Sequence, residues 1–122
     1  MKIIQPLAMP VPKGHYSPGV VHNGQVYVSG QLPIRDGKPL TGPIEEQTEC
    51  CLYSIKTILL AAGSDLDKIL KVSIFIADIN DWGKVNEVFA RIMGQHRPAR
   101  TIVPVKQLNF GCSIEMEVIA SC

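Results

Sequence analysis

The amino-acid sequence predicts one α+β domain in which two helices cover one face of a single β-sheet. A chain of 122 residues is long enough for one compact core and too short for two typical domains. Short stretches with alternating apolar and polar residues recur along the chain, as expected for half-buried strands. Two longer stretches repeat apolar residues at helical spacing. We therefore expect residues 1–122 to form a single domain with a mixed sheet of about six strands.

The first three predicted strands lie near the amino terminus. Residues 2–5 (KIIQ) are predicted to form a short edge strand, whereas the proline-rich residues 6–14 are predicted to be irregular. An Asn-Gly dipeptide at 23–24 separates the apolar residues 20–21 from the alternating residues 25–29. Because Asn-Gly favours the two-residue turns that join antiparallel strands, we expect a β-hairpin at this position.

Two stretches have the apolar spacing of amphipathic helices. The first begins at Ile44 and ends before Gly63, which is well placed as its C-terminal cap. The second begins after Asn80 or Asp81 and ends before Gly94. The residues of the second helix that we expect to face the core are Trp82, Val85, Phe89 and Ile92. These two helices are the elements available to cover the sheet.

Three further strands are predicted to start near Leu70, Ala99 and Ile114. Because two helices can cover only one face of the sheet, we assign the more apolar side of each strand to that covered face. The residues predicted to face the helices are Val26, Val28, Leu70, Val72, Ile74, Ile76, Thr101, Val103, Val105, Ile114, Met116 and Val118. The residues predicted to lie on the helix-free face are Tyr27, Ser29, Lys71, Ser73, Phe75, Arg100, Ile102, Glu115 and Glu117.

The predicted helix-free face is too apolar for a solvent-exposed surface and too polar for a core, a mixture typical of a subunit interface with a polar pocket. We therefore expect a homo-oligomer. If residues 107–112 join the last two strands as a hairpin, Arg100 lies near Ile119 and away from Glu115, so a neighbouring chain would supply its partner more easily. Strand parity leaves two interpretations of Arg100 open, a salt bridge between chains and a clamp for a ligand carboxylate. It also does not separate Glu115 from Glu117 as the working carboxylate.

The charge and the cysteine content exclude several classes of protein. The net charge is +1 and the charged residues are interspersed, so no basic stripe is available for nucleic acid or an anionic membrane surface. The four cysteines form no Cys-x-x-Cys pair and have no spacing with histidine that is typical of a metal site. The first 18 residues contain four prolines and no unbroken apolar stretch, which argues against a secretory signal sequence or a transmembrane helix. We expect a metal-free, cytoplasmic protein without nucleic-acid or membrane partners.

Seven sequence segments are spread in order along the chain between residues 14 and 120: GHYSPG, VYVSGQL, EEQT, AAGSDLDKILKVSIFIADI, VNEVF, PART and IEMEVIA. In this combination the chain resembles the reactive intermediate deaminase family (RidA, also called YjgF-type). The resemblance implies a chorismate-mutase-like α+β fold. It also implies a homotrimer whose sheets face inward as a barrel, with three sites in the clefts between subunits.

The resemblance further implies an enzyme. The expected reaction is the cofactor-independent hydrolysis of 2-enamino and 2-imino acids, such as 2-aminoacrylate and 2-iminopropanoate, to 2-oxo acids and ammonia. The family's catalytic residues correspond here to Arg100, which would hold the substrate carboxylate, to Glu115, which would position the water, and to Tyr16, which would close the site. The substrate-binding residues implied in the same way are Arg100, Ser29, Gly30, Ile102 and Tyr16.

Two positions depart from the family pattern. Ile102 stands where well-studied deaminases often have cysteine, and Asn109-Phe110 replaces the usual Leu-Pro after Leu108. The second change alters a loop at the pocket edge and leaves the substrate preference open. The alternative function is a non-catalytic trimer that binds a small carboxylate or acts as a regulator. Ribonuclease activity has also been attached to members of the family, but the sequence has no basic stripe with stacking aromatics to support it.

Overall fold

The computed structural model describes all 122 residues, Met1–Cys122. Its strands and helices follow one another as β1 (Lys2–Ile4), β2 (Gly19–His22), β3 (Gln25–Gln31), β4 (Ile34–Arg35), β5 (Lys38–Pro39), α1 (Ile44–Ala61), β6 (Ile69–Ile76), α2 (Trp82–Met93), β7 (Ala99–Pro104) and β8 (Ile114–Ser121). Single turns of 3₁₀-helix lie at Leu66–Lys68, Ile79–Asp81 and Asn109–Gly111. No helix of the chain combines the length and the hydrophobicity that a membrane crossing requires.

Six strands form one mixed sheet in the order β1-β2-β3-β8-β6-β7. Neighbouring strands are antiparallel except for β6 and β7, which run parallel. A parallel pair requires a crossover connection, which α2 provides. The short strands β4 and β5 form a separate hairpin. The predicted α+β fold, with one mixed six-stranded sheet and two helices, is confirmed.

The predicted hairpin joins β2 to β3. Both turn residues have positive φ angles, 51° at Asn23 and 76° at Gly24, as a two-residue turn of type I′ requires. The paired residues run from His22 opposite Gln25 at the turn to Gly19 opposite Val28. The Asn-Gly dipeptide therefore sets the register of the first half of the sheet, and the prediction is confirmed.

Both predicted helices are present, but the core face of α2 differs from the prediction. Val85 and Phe89 are buried as expected, whereas Trp82 at the start of the helix is 41% exposed. Val88 and Met93 take the remaining buried places. The placement of Trp82 in the core was therefore wrong, because its indole ring instead lies beside the guanidinium of Arg100 on the edge strand β7.

The core lies between the helices and one face of the sheet. The largest fully buried side chains there are Leu52, Ile55, Ile58, Leu59, Ile69, Ile74, Ile76, Ile114 and Met116. Strand parity predicted this face correctly for β3 and β8 and for most of β6. Leu70 is an exception, since it is 47% exposed. The pairing of β6 with β8 shifts between Ile69 and Lys71, and this irregularity gives the buried position to Ile69 instead.

Strand β7 contradicts the predicted parity. It pairs with β6, so Arg100 lies opposite Val72 and Ile102 lies opposite Ile74. Residues opposite each other in a ladder point to the same face, and Val72 and Ile74 face the core. Arg100 and Ile102 therefore lie on the helix side, and their assignment to the helix-free face was wrong. On this edge strand the guanidinium of Arg100 lies over the rings of Trp82 and Phe89, both residues of α2.

The predicted hairpin between the last two strands was also wrong, because β6 lies between β7 and β8. Thr101 and Val103, predicted to face the helices, instead share the opposite face with their β6 partners Ser73 and Phe75. We call this helix-free side of the sheet the open face. Its side chains are those of Tyr27, Lys71, Ser73, Phe75, Thr101, Val103, Glu115, Glu117 and Ile119.

Candidate active site

Four of the residues implied by the family resemblance line one cavity of about 520 Å³. They are Tyr16, Ser29, Gly30 and Glu115. We call this space the Glu115 cavity. Its other lining residues are Lys13, Gly14, Leu32, Asn109 and Phe110. Lys13 was missed at the sequence level, and its place directly before the GHYSPG segment is the feature that points to it.

An irregularity in β3 shapes this cavity. Val28 lies opposite Val118 and Gln31 opposite Met116, so β3 contains one more residue than β8 over the same length. Such a bulge bends the strand and changes the direction of its side chains. The two residues within the bulge are Ser29 and Gly30.

Ser29 fastens the loop that carries Tyr16. Its Oγ donates a hydrogen bond to the carbonyl oxygen of Ser17 at 2.6 Å, and its backbone N–H donates to the carbonyl of Pro18 at 2.9 Å. The hydroxyl proton is therefore already used within the chain. Towards a ligand, the Ser29 oxygen is available as an acceptor.

Gly30 leaves room for the carboxylate of Glu115. A Cβ atom at position 30 would lie 2.6 Å from Oε2 of Glu115, which is closer than nonbonded atoms approach. The glycine therefore lets the carboxylate lie directly against the β3 backbone. This contact explains in physical terms why glycine follows serine in the VSGQ segment.

The environment of Glu115 favours its neutral form. Burial raises the pKa of this half-buried carboxyl, and the negative charge of Glu117 raises the pKa further. A carboxyl group whose pKa moves towards neutrality is better suited to take up and release a proton. Glu117 itself lines a different recess on the open face, together with Tyr27, Lys71 and Ser73. The geometry thus separates the two glutamates and places Glu115 in the cavity with Tyr16.

Replacing Glu117 by glutamine is expected to lower the pKa of Glu115. The substitution removes a like charge that disfavours the ionised form and leaves only the effect of burial, so Glu115 loses its proton at lower pH. An NMR titration of the Glu115 side-chain carboxyl measures this shift. Glu45→Gln, in the first turn of α1, serves as the control. An unchanged or higher pKa of Glu115 in Glu117→Gln would contradict the expectation.

Arg100 lies in a separate cavity of about 470 Å³, next to Asn86, Arg97 and the end of α2. Its Cζ atom is 4.9 Å from the ring centroid of Phe89 and 5.6 Å from that of Trp82. Guanidinium groups bind to aromatic faces at such distances. The sequence interpretation treated both rings only as core residues and missed this contact.

The guanidinium of Arg100 has no carboxylate partner within the chain. The two salt bridges of the structure join Lys56 to Asp65 and Arg91 to Glu49. Partial burial lowers the pKa of Arg100, yet an arginine side chain stays protonated in proteins. A fixed cation without an anion is therefore held on an aromatic surface. This is the arrangement that a binding site for a ligand carboxylate needs.

One chain does not bring Arg100 and Glu115 together. Arg100 is opposite Val72 on one side of β6, and Glu115 is opposite Phe75 on the other side. Their Cα atoms are about 14 Å apart, because the two residues lie two strands apart across the sheet and three residues apart along it. Their side chains also leave opposite faces of the sheet. Ile102, another implied site residue, is on the Arg100 side and packs against the core. The six implied residues thus fall into two groups.

The protein-family model described as Endoribonuclease L-PSP matches residues 7–122 of the chain. The chain belongs to that family. This is the RidA/YjgF family that the sequence segments resemble. The predicted family and its fold are confirmed, and the assembly of several subunits stays a prediction because only one chain is described.

Two curated RidA/YjgF relatives show the range of names in the family. "Protein mmf1, mitochondrial" from Schizosaccharomyces pombe is 41% identical over 110 residues, which cover 88% of this chain and 68% of the relative. The 2-iminobutanoate/2-iminopropanoate deaminase of Rattus norvegicus is 36% identical over 121 residues, which cover 98% of this chain and 88% of the relative. Because one relative is named mitochondrial, a cytoplasmic location stays a prediction for this chain.

A solved structure of the same family contains a small ligand. The crystal structure of E. coli TdcF with bound serine is 32% identical in sequence and has a TM-score of 0.93. The match covers all of this chain and 99% of the TdcF chain. The fold is therefore shared over its full length with a RidA/YjgF protein whose ligand is an amino acid.

Proposed function

We propose that this protein hydrolyses 2-enamino and 2-imino acids to 2-oxo acids and ammonia without a cofactor. The observation that carries the proposal is the carboxyl group of Glu115, which lies against the Gly30 backbone in a small cavity with Tyr16 and has a raised pKa. Membership of the RidA/YjgF family and the named activity of the rat relative support it. Neither nucleic acid nor a membrane is part of the proposal.

The chemistry requires only a positioned water and a group that moves protons. The carbon of an imine is electrophilic, so water adds to it while Glu115 accepts a proton from that water. This proton passes to the imine nitrogen and gives a carbinolamine. The C–N bond then breaks as the C=O bond forms, and the hydroxyl proton moves through Glu115 to the nitrogen, which leaves as ammonia. The net reaction is one imine plus one water giving one 2-oxo acid plus one ammonia.

Arg100 from a second copy of the chain would complete the site. A guanidinium binds a carboxylate through two parallel hydrogen bonds, which fixes the position and the plane of a small substrate. Within one chain the Cα atoms of Arg100 and Glu115 are about 14 Å apart and their side chains leave opposite faces of the sheet. A second copy of the chain is therefore the expected source of the clamp. Two features support a homotrimer with shared sites. Arg100 lies on the edge strand β7, and the open face exposes Tyr27 and Val103.

A mass three times that of the single chain is expected in solution. Burial of the apolar side chains of the open face provides the driving force for assembly. Multi-angle light scattering at micromolar concentration measures the mass. Val103→Glu, on the open face, is expected to dissociate the trimer, whereas Leu60→Glu, on the exposed side of α1, leaves it intact. A monomeric wild-type protein would refute the shared site.

The direct test of the function is an assay with 2-iminopropanoate generated in situ by an amino-acid oxidase. The imine is expected to disappear faster in the presence of the protein, with pyruvate and ammonia formed in equal amounts. A rate equal to that of the buffer would refute the proposed reaction.

A non-catalytic trimer that binds a small carboxylate is the second candidate function. The serine bound to TdcF favours it, since that ligand carries a carboxylate and is not an imine. Saturable binding of a 2-oxo acid, lost in Arg100→Ala, with no acceleration of imine hydrolysis would establish this alternative.

A further inference from the structure

A second cavity adjoins the Glu115 cavity. It has a volume of about 380 Å³ and lies between the proline-rich amino-terminal segment and α1, and we call it the α1 cavity. The residues that line both cavities are Tyr16, Gly30, Leu32 and Phe110. We call these four shared residues the common wall. A ligand in the Glu115 cavity therefore has the α1 cavity directly beyond the common wall.

Phe110 occupies the common wall with an unusual backbone. Its φ and ψ angles are 63° and 21°, in the left-handed region that bulky residues rarely adopt. The residue is 67% exposed, so burial in the core does not compensate for this conformation. Bulky residues in such a conformation persist where the surrounding structure holds them and occur often at ligand sites. The backbone thus presents an aromatic ring at the boundary of the two cavities.

The chemistry of the α1 cavity selects against a charged ligand group. No lysine, arginine or histidine lines it, and its one charged residue is Asp36. Apolar side chains, among them those of Met9 and Ile34, line it beside uncharged polar ones such as Ser54 and Thr57. A carboxylate would meet a like charge without a cation there, whereas an alkyl or aromatic group would replace water at apolar surface.

We propose that Phe110 determines substrate specificity by directing the side chain of a 2-imino acid into the α1 cavity. The favoured substrates carry a branched or longer apolar side chain, such as the imine related to leucine, in preference to 2-iminopropanoate. The proposal rests on the proposed function and adds the substrate class. Phe110, which lines both cavities, is then the source of the preference.

Binding of 2-oxo acids tests the proposal separately from catalysis. Isothermal titration calorimetry compares 4-methyl-2-oxopentanoate with pyruvate, and the wild type is expected to bind the larger acid more tightly, by about tenfold or more. Phe110→Gly, which suits the left-handed backbone, and Phe110→Ala are both expected to abolish the preference. Phe110→Leu, which keeps an apolar side chain, retains most of it. Leu60→Ala, which lines neither cavity, is the control.

Equal binding of the two acids by the wild type would overturn the proposal, as would weaker binding of both acids by the same factor in Phe110→Gly and Phe110→Ala. Measurement of imine hydrolysis alongside binding distinguishes a failure of the proposed subsite from a failure of the proposed reaction. Preferential binding without hydrolysis of any imine would refute the proposed reaction and support the subsite. Hydrolysis of 2-iminopropanoate at least as fast as that of the leucine-derived imine would refute the subsite and support the reaction.

Discussion

Replacing Arg100 by alanine is expected to remove nearly all acceleration of 2-iminopropanoate hydrolysis. The substitution deletes two charge-assisted hydrogen bonds to the substrate carboxylate, each contributing about 1.5 to 3 kcal/mol. Their loss corresponds to a fall in kcat/KM of about 10² to 10⁴-fold. The imine assay, run on the wild type and the variant side by side, measures the effect.

The neighbouring Arg97 provides the matched control. It lines the same cavity but does not contact the rings of Phe89 and Trp82, so Arg97→Ala is expected to keep most of the activity. Arg100→Lys should recover little, because an ammonium group cannot form the planar pair with a carboxylate. Undiminished activity in Arg100→Ala, with the assembly intact, would refute the role of this arginine.

Glu115→Gln is expected to slow hydrolysis by about 10² to 10⁴-fold, which is the usual contribution of a positioned acid or base. The amide fills the same space against Gly30 but cannot accept the proton of the attacking water. The effect should fall mainly on kcat, since the carboxylate clamp is unchanged. Steady-state kinetics with 2-iminopropanoate measure this difference.

Glu117→Gln is the control for Glu115, because Glu117 points into a separate recess of the open face. Near neutral pH this variant should retain most of the activity. The acid limb of its pH profile should move to lower pH, in the same direction as the pKa of Glu115. A larger loss in Glu117→Gln than in Glu115→Gln would reverse the assignment of the two residues.

Local patterns were sufficient to predict most of the fold. The Asn23-Gly24 turn, the capping glycines after both helices and the alternation in β8 each reflect contacts between near neighbours in the chain. These contacts leave a periodic pattern that can be read without knowing the tertiary structure. The helices, the hairpin and most of the core were therefore predictable.

Strand β7 was not predictable in the same way. Each of its sides carries an apolar residue beside a polar one, so the sequence does not show which side is buried and the parity depends on the strand that it pairs with. The parallel pairing with β6 through α2 is a contact between distant parts of the chain, and it reversed the faces of Arg100 and Val103. Periodicity alone carries no information about such a choice.

The candidate site was predictable only through the family resemblance. The alternation in β8 predicts that Glu115 and Glu117 share one face, but it does not show which of them is the working carboxylate. The bulge at Ser29 and Gly30 distinguishes them, because the carboxylate of Glu115 lies against Gly30. A bulge depends on the register of two strands and leaves no periodic pattern. The support of Arg100 by Trp82 and Phe89 was likewise missed, although their spacing of seven residues on α2 is compatible with one helix face.

The way in which Arg100 is held affects how the site responds to ionic strength. An arginine oriented by a carboxylate loses part of that attraction when salt screens the two charges. Contact with the rings of Phe89 and Trp82 comes from the short-range attraction of a cation to the ring quadrupoles, which involves no second net charge for salt to screen. Added salt therefore weakens the attraction between the guanidinium and the ligand carboxylate, while the guanidinium itself stays in position.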